Sequence, residues 1–285
     1  MASRVDGKKF ADEICLRVKL QVENFKFLHN ITPHLAIIRV GDEPSSALYV
    51  KNKLRKAGEI GILSTEYHMP AATSEGEILR HIAELNKNKA VHGLIVQLPL
   101  PEHIDAHAVI NSILPEKDVD CLGEINAGRL YMGYGILKPC TPSGIVLLLK
   151  HLLGEDLSGL KASIIGRSNI VGKPLALMLL TENCTVKILH SKSINIAKET
   201  SDADILVAAV GKPKLVKAEW VKEGACVIDV GISKEGDSLY GDVDYDAVLR
   251  KAKYITPVPG GVGPITVAML MLNTITASIA QQTSY

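Results

Sequence analysis

Tyr49 and Lys53, in the stretch YVKNKLRK, stand four residues apart. On a helix that spacing puts both on one face, while Lys51 and Arg55 point elsewhere. A lysine so placed can move protons if part of it is neutral near working pH, and a tyrosine beside it offers a ring and a hydroxyl. The same stretch carries four cations in eight residues, and such runs are usually the solvated face of a helix. What surrounds the pair decides between the two.

The Tyr-x-x-x-Lys spacing is the acid/base pair of short-chain dehydrogenases, where a glycine loop near the N-terminus precedes it. Here the pair comes more than a hundred residues before Gly166, an order that argues against that assignment. Gln97, in VQLPLP, ends an apolar run, an unusual place for a polar group unless it is a satisfied core amide. PEKDVDCL (115–122) adds aspartates in the same region. A lysine, a glutamine and an aspartate brought together would suit a polar heterocycle. The carboxylate can accept two hydrogen bonds from an amino-pyrimidinone edge, the amide can orient the lysine, and the lysine can move protons.

A second chemistry is suggested by IIGRSNIVGKP (164–174), which follows a strand pattern and opens a helix pattern, the setting of a phosphate-binding turn. It is not the standard GxGxxG: Gly166 and Gly172 are six apart, with Ser168 in the middle place. A tight strand–helix turn that binds nothing is the competing explanation. The next strand ends in LHSKS (189–193), without the carboxylate that holds the ribose 2′-hydroxyls in NAD-binding units. His190, Ser191 and Lys192, with Arg167 from the loop, could instead bind a 2′-phosphate, which points to NADP over NAD. VIDVGI (227–232) brings a strand to Gly231, where backbone can approach a flat ring. TPVPGGVGPIT (256–266) is a stiff loop, either an interdomain connection or one wall of a cleft.

These residues require elements to hold them. Phe10, Ile14, Val18, Val22 and Phe25 predict an amphipathic helix over 6–29, and HLAIIRV (34–40) a buried strand. Pro44 starts a helix running to about Gly61 that carries Tyr49 and Lys53. ILSTEYHM reads as a strand, SEGE (74–77) as a capping box before a helix, HGLIVQLPL (92–100) as a second buried strand and AHAVINSI as a helix. TPSG (141–144), with Thr141 as N-cap, opens another helix. KASIIG, GKPLALMLL, TVKILH, ADILVAAV and ACVIDVG then repeat the strand and helix pattern of a Rossmann-type unit, and PITVAMLMLNTITASIAQQ predicts one long final helix. The fold class is therefore α/β in two domains with mostly parallel sheets.

The totals agree with a soluble enzyme. The chain has 285 residues, 47% of them hydrophobic and 22% charged, with Lys plus Arg (32) nearly cancelling Asp plus Glu (31). No net field would gather nucleic acid or an anionic membrane. Five scattered cysteines without a CxxC suggest reduced thiols. No secretory h-region is visible at the N-terminus, and the apolar runs look too short or too interrupted to span a bilayer. A cytoplasmic location is the expectation.

Taken together, YVKNKLRK, GLIVQLPLP, PEKDVD, INAGRL, PCTPSG, GRSNIVGKP, VIDVGI and ITPVPGGVGPITVAML resemble the methylenetetrahydrofolate dehydrogenase/cyclohydrolase family, the FolD type, over about residues 5–278. The resemblance implies oxidation of 5,10-methylenetetrahydrofolate with NADP to the 5,10-methenyl cation, then hydrolysis to 10-formyltetrahydrofolate, in one-carbon metabolism. It implies a folate-binding domain over 1–140 joined by a C-terminal helix at 266–285, an NADP-binding domain over 141–265, and a homodimer. By the family's pattern Lys53 is the catalytic lysine, Gln97 tunes it, Tyr49 packs on the folate and Asp120 holds the pterin. Val96, Leu98 and the loop Pro259, Gly260, Gly261, Val262 and Gly263 would line the folate site. Gly166, Arg167, Ser168, Ser191 and Ile232 would contact the cofactor. No metal is implied.

Two further expectations attach to that resemblance. Burial and the cations Lys51, Arg55 and Lys56 would push the Lys53 pKa down and keep the lysine usable. Cys121 departs from the family, which usually has glycine there; it would alter the loop holding Asp120 if that position needs glycine's freedom, and it could add an oxidisable thiol. Competing functions are an amino- or hydroxy-acid dehydrogenase, against which the PVPGGVGP loop argues, and a cofactor-binding regulator without turnover. Against the regulator stands the presence of Tyr49, Lys53, Gln97 and Asp120 together.

Overall fold

A computed structural model describes residues 3–236 and 238–283. In chain order its elements begin with β1 (Ser3–Arg4), α1 (Gly7–His29), β2 (His34–Val40), α2 (Pro44–Glu59), β3 (Leu63–Met69), α3 (Glu75–Lys87), β4 (Gly93–Val96), α4 (Ala106–Asn111) and α5 (Glu124–Tyr131). There follow α6 (Cys140–Leu153), β5 (Lys161–Ile165), α7 (Gly172–Thr181), β6 (Thr185–Leu189), α8 (Ile196–Thr200), β7 (Ile205–Ala208) and β8 (Cys226–Asp229). The last are β9 (Ser233–Glu235), β10 (Ser238–Tyr240), α9 (Tyr245–Val248), β11 (Tyr254–Ile255) and α10 (Val262–Thr283). The chain divides into two units: the first is Glu13–Cys140 with Val267–Tyr285, the second Met1–Asp12 with Thr141–Thr266.

In the first unit β2 lies between β3 and β4 in a parallel sheet. All seven residues of β2 are buried, which is why its sequence is a continuous apolar run and not an alternation. Ala36, Ile38 and Val40 pack with Leu94 and Val96 of β4 and with Ile78, Ile82 and Leu85 of α3. The predicted capping box is present: the Ser74 hydroxyl and the Glu77 carboxylate each take the other's backbone N–H. Pro44 stands at the first turn of α2, and Glu43 accepts the Ser46 amide at 2.7 Å. β4 stops at Val96, short of Leu100, because Pro99 and Pro101 have no N–H to give a ladder.

The final helix, α10, starts at Val262, two residues ahead of the expected Pro264, with Pro264 tolerated in its first turn. It is also long and apolar enough, by length and composition, to cross a membrane, contrary to the expectation that no run would be. Its polar side chains explain its apolar sequence differently. Asn273 donates to the Val119 and Lys138 carbonyls, both at 2.8 Å, and Gln281 to the His92 carbonyl at 2.8 Å, so the helix is a core element of the first unit. Its apolar residues buried there, Leu270, Met271, Ile275 and Ala277, need no lipid.

The second unit holds a six-stranded parallel sheet in the order β1-β11-β8-β7-β5-β6, and β9 and β10 form a separate antiparallel pair. From β5 the chain winds outward to β6, then returns to the other side of β5 as β7, so the topological switch lies between β5 and β7. Ser3 and Arg4 pair with Tyr254 and Ile255, and by their contacts residues 3–12 group with the second unit. Thr141 is not the N-cap of α6, which begins at Cys140; its hydroxyl is bonded to that of Thr266 at 2.9 Å.

Candidate active site

In the first unit α2 carries Tyr49, a residue 42% exposed, and one turn on the half-buried Lys53. The Lys53 ammonium donates to Gln97 Oε1 at 3.0 Å. Gln97 has little freedom to do otherwise. Its amide nitrogen donates to the Leu98 carbonyl at 2.7 Å, and its backbone N–H donates to Ile38 O at 2.8 Å, so the oxygen is turned to the lysine. Arg55 and Lys56, expected to act on Lys53, both pair with Glu59 one turn on. Lys56 first, and Arg55 with it, holds the Glu59 carboxyl below the usual range. Both cations are thus engaged with one carboxylate of their own helix.

The segment bearing Asp120 runs beside β4, bridged in parallel between Leu94 and Asp118, with Leu94 N–H on the Lys117 carbonyl at 2.7 Å. Two buried side chains fix it. The Lys117 ammonium closes the C-terminal end of α3, donating to the carbonyls of Leu85, Asn86 and Asn88 at 3.0, 2.8 and 2.8 Å. Asp118 accepts the amides of Cys121 at 3.0 Å, Leu122 at 3.3 Å and Gly123 at 2.9 Å, and the Asn126 side chain at 3.1 Å. Burial pushes its carboxyl up against the pull of those donors. Between and beyond these anchors Val119 is buried and Asp120 half-exposed. Burial first, and then Asp120, push the fully buried Cys140 thiol far up, while Lys53 acts on the same thiol in the opposite sense. Asp120 and Lys53 thus both lie within electrostatic reach of Cys140, and Val96 and Leu98 flank Gln97 in the chain.

Cys121 has φ of +60°, so the position does adopt the left-handed conformation that favours glycine. A side chain there costs about 1 kcal/mol. The thiol is buried and donates to the Leu137 carbonyl at 3.3 Å, and burial drives its pKa up. It is thus an inert packing group, not the oxidisable thiol the sequence suggested.

In the second unit the loop after β5 lies at the topological switch. Gly166 has φ of +128° and sits directly on the Ala209 carbonyl, where a Cβ could not fit. Arg167 and Ser168 follow, exposed, and the Ser168 hydroxyl accepts the Val171 N–H at 3.1 Å at the start of α7. After β6 the chain turns through His190, whose N–H donates to Ser193 Oγ at 3.0 Å and whose Nδ1 accepts from Lys192 N–H at 3.2 Å, leaving Ser191 and Lys192 exposed. Ile232, 44% exposed, follows β8. Thr256 to Gly261 form the predicted stiff loop, while Val262 and Gly263 are already the first residues of α10.

Comparison with known proteins decides what these two sets of residues belong to. Residues 5–120 match the tetrahydrofolate dehydrogenase/cyclohydrolase catalytic domain, and residues 139–282 match the NAD(P)-binding domain of the same enzymes. The chain belongs to the tetrahydrofolate dehydrogenase/cyclohydrolase family. A bifunctional protein FolD from Wolbachia sp. subsp. Drosophila simulans (strain wRi) is 51% identical over 280 residues, covering 98% of this chain and 96% of the relative. The crystal structure of the bifunctional FolD dehydrogenase/cyclohydrolase of Campylobacter jejuni superposes with a TM-score of 0.95 at 42% identity, covering 98% of this chain and 99% of that one. The Trypanosoma brucei FolD enzyme, solved with NADP and an inhibitor, has a TM-score of 0.94 at 37% identity, covering 98% of each chain.

Within this family member the structure joins Lys53 to Gln97 in the first unit, with Tyr49 on the helix of Lys53 and Asp120 within electrostatic reach of the Cys140 thiol that Lys53 also influences. In the second unit it arrays Gly166, Arg167, Ser168, Ser191 and Ile232 along the carboxyl ends of β5, β6 and β8. Sequence reasoning missed Lys117, Asp118 and Cys140. The first two were visible as the KD of PEKDVD, charged residues next to a run otherwise bound for the core, and that was the available signal.

Proposed function

We propose that this chain oxidises 5,10-methylenetetrahydrofolate to the 5,10-methenyl cation with NADP, and hydrolyses that cation to 10-formyltetrahydrofolate. The observation that carries it is the Lys53–Gln97 hydrogen bond, in a chain matching both domains of the family. The cofactor, when bound, accepts a hydride. The loop after β5 fits its phosphates: it is glycine-led, exposed and opens onto the N-terminus of a ten-residue helix. Arg167, Ser191 and Lys192, with no carboxylate at the end of β6, favour a 2′-phosphate, hence NADP.

The residues of the first unit supply binding and proton movement. Asp120 accepts hydrogen bonds from the pterin's amino edge, and Tyr49 presents its ring to the folate. The methylene carbon lies between two nitrogens whose lone pairs stabilise the cation, so the oxidation needs no strong base. Hydration does. Water adds to the methenyl carbon, one proton leaves, and the ring carbon–nitrogen bond breaks as that nitrogen takes a proton, giving the formyl product. Lys53, aimed by Gln97, moves those protons. Val96, Leu98 and Pro259 to Gly263 complete the folate site in this proposal, and the enzyme works as a cytoplasmic homodimer, which sedimentation of the purified protein tests.

The deciding experiment supplies 5,10-methylenetetrahydrofolate with NADP and separately with NAD, following reduced nucleotide and then the rise and decay of the methenyl compound. Turnover with NADP and rapid methenyl decay is expected. Methenyl accumulation removes the hydrolytic role from Lys53, and no reduced nucleotide with either cofactor overturns the assignment.

A further inference from the structure

Two buried aspartates stand at the carboxyl ends of β7 and β8, outside every role assigned above. Asp242 is completely buried, and its carboxyl oxygens are taken up by backbone N–H groups. Its Oδ2 accepts the N–H groups of Val210 at 2.6 Å and Gly211 at 3.1 Å, and its Oδ1 that of Lys212 at 2.7 Å. Those three residues are the loop leaving β7, next to Ala209, on which Gly166 of the phosphate turn rests. Asp229 closes β8 and accepts the N–H groups of Gly231 at 3.2 Å, Asp242 at 2.9 Å and Val243 at 2.9 Å. Its own N–H donates to the buried Thr256 hydroxyl at 2.8 Å, at the head of the loop leading to Pro259. Gly231 has no side chain because the Asp242 carboxylate fills that space, so Ile232 is delivered by the same contact.

We propose that Asp242, held by Asp229, is a positioning residue for cofactor binding, fixing the loops after β7 and β8 on one side of the switch point between β5 and β7, where a nucleotide would lie. This rests on the NADP-dependent dehydrogenase assignment above. The argument is one of geometry and satisfaction. Six backbone donors in short irregular segments would otherwise face water or each other, and a buried carboxylate is the one side chain that takes three converging N–H groups without offering a donor. A general fold-stabilising role would not require both carboxylates to gather the loops of the ligand-binding edge.

Asp242→Asn tests it, because the amide replaces one acceptor oxygen by an NH₂ aimed at a backbone N–H. The KM for NADP should rise roughly tenfold or more, since losing charge-assisted bonds to the loop amides is worth at least that factor. Hydrolysis of 5,10-methenyltetrahydrofolate, assayed without nucleotide, should stay within about twofold of wild type, because the residues given that step lie in the first unit. Loss of both activities in parallel, or an unchanged NADP KM, overturns the proposal. If the wild type itself fails to reduce NADP, it is the functional assignment that falls, and the two failures are thus distinguishable.

A second measurement needs no variant. In the cofactor-free wild type, the Gly211 and Lys212 amides belong to exposed residues but should exchange hydrogen slowly. Exchange at the rate of an unstructured loop means the carboxylate does not hold them, and overturns the proposal even if the variant cannot be folded.

Discussion

The partner of the Lys53 ammonium among the described residues is an amide, Gln97. A glutamine oxygen neither neutralises the ammonium nor competes for its proton, so the lysine is oriented without being locked into an ion pair. Replacing it by methionine keeps the stem and removes the nitrogen. Lys53→Met should lower cyclohydrolase turnover by roughly 10² to 10⁴ while the NADP-dependent oxidation survives, since only hydration needs the proton carrier. Methenyltetrahydrofolate should then accumulate, and equal loss of both steps would return the lysine to a binding role. Cys121 supports a separate expectation. All five cysteines are buried, and burial pushes the Cys121, Cys140, Cys184 and Cys226 thiols upward. Ellman's reagent at about pH 8 should leave the folded enzyme unlabelled and active, and label all five thiols only after denaturation. Rapid labelling of Cys121 would restore it as a reactive group.

At the scale of elements, the loop that carries Asp120 shows how an irregular segment is made rigid. Lys117 plugs the end of α3 and Asp118 collects three amides and Asn126, so Asp120 between these anchors and α5 is left little choice of direction. Asp118→Asn puts a donor where the loop amides need an acceptor and should cost about 2 kcal/mol. It should raise the KM for methylenetetrahydrofolate more than that for NADP, and the reverse order would place Asp118's influence elsewhere. The elements legible beforehand were those whose signals are local. The buried run of β2, Ser74 with Glu77 before α3, Pro44 opening α2 and the four-residue step from Tyr49 to Lys53 all declare themselves within a few residues. α5 did not, having only eight residues, a glycine inside it and no side-chain cap at Gly123. β1 was hidden because two residues become a strand only by pairing with β11, some 250 positions away. Asp229 and Asp242 could be seen in VIDVGI and GDVD, but not that one would accept the other's amide. The same distance hid Arg55 and Lys56 least of all: their partner Glu59 was four and three residues on, and only the weight given to Lys53 obscured it.

For the molecule as a whole, buried titratable groups of opposite sense lie beside different strands, and the first unit holds both kinds, since its Asp118 carboxyl is raised by burial like that of Asp229. In the first unit His92 is almost fully buried and its Nδ1 accepts the His34 N–H at 3.2 Å; burial, with His34 and Lys117 nearby, lowers its pKa to about 4, and burial lowers that of His34 too. A histidine whose folded pKa lies below its unfolded value of about 6.5 leaves the unfolded chain holding more protons between the two. Its contribution is complete above pH 6.5 and is lost as pH falls toward 4, by up to about 3 kcal/mol. In the second unit burial pushes the Asp229 carboxyl up to about 7 against the pull of its amides. There the folded state holds the extra proton, so that unit gains stability as pH falls from 7 toward the unfolded value near 4. Mild acid should therefore loosen the strand beside His34 and His92 and tighten the one that Asp229 closes. Hydrogen exchange compared at about pH 7.5 and pH 5, corrected for the intrinsic rate, should show the β2 amides of Leu35 to Val40 losing protection while those of β8 keep or gain it. His92→Gln, which retains an acceptor for the His34 N–H but cannot be protonated, should blunt the loss in β2 and leave β8 unchanged. A uniform loss of protection across both sheets would mean that acid acts through the surface carboxylates, such as Glu43 and Asp202, whose pKa values hydrogen bonding holds low, and not through these two buried groups.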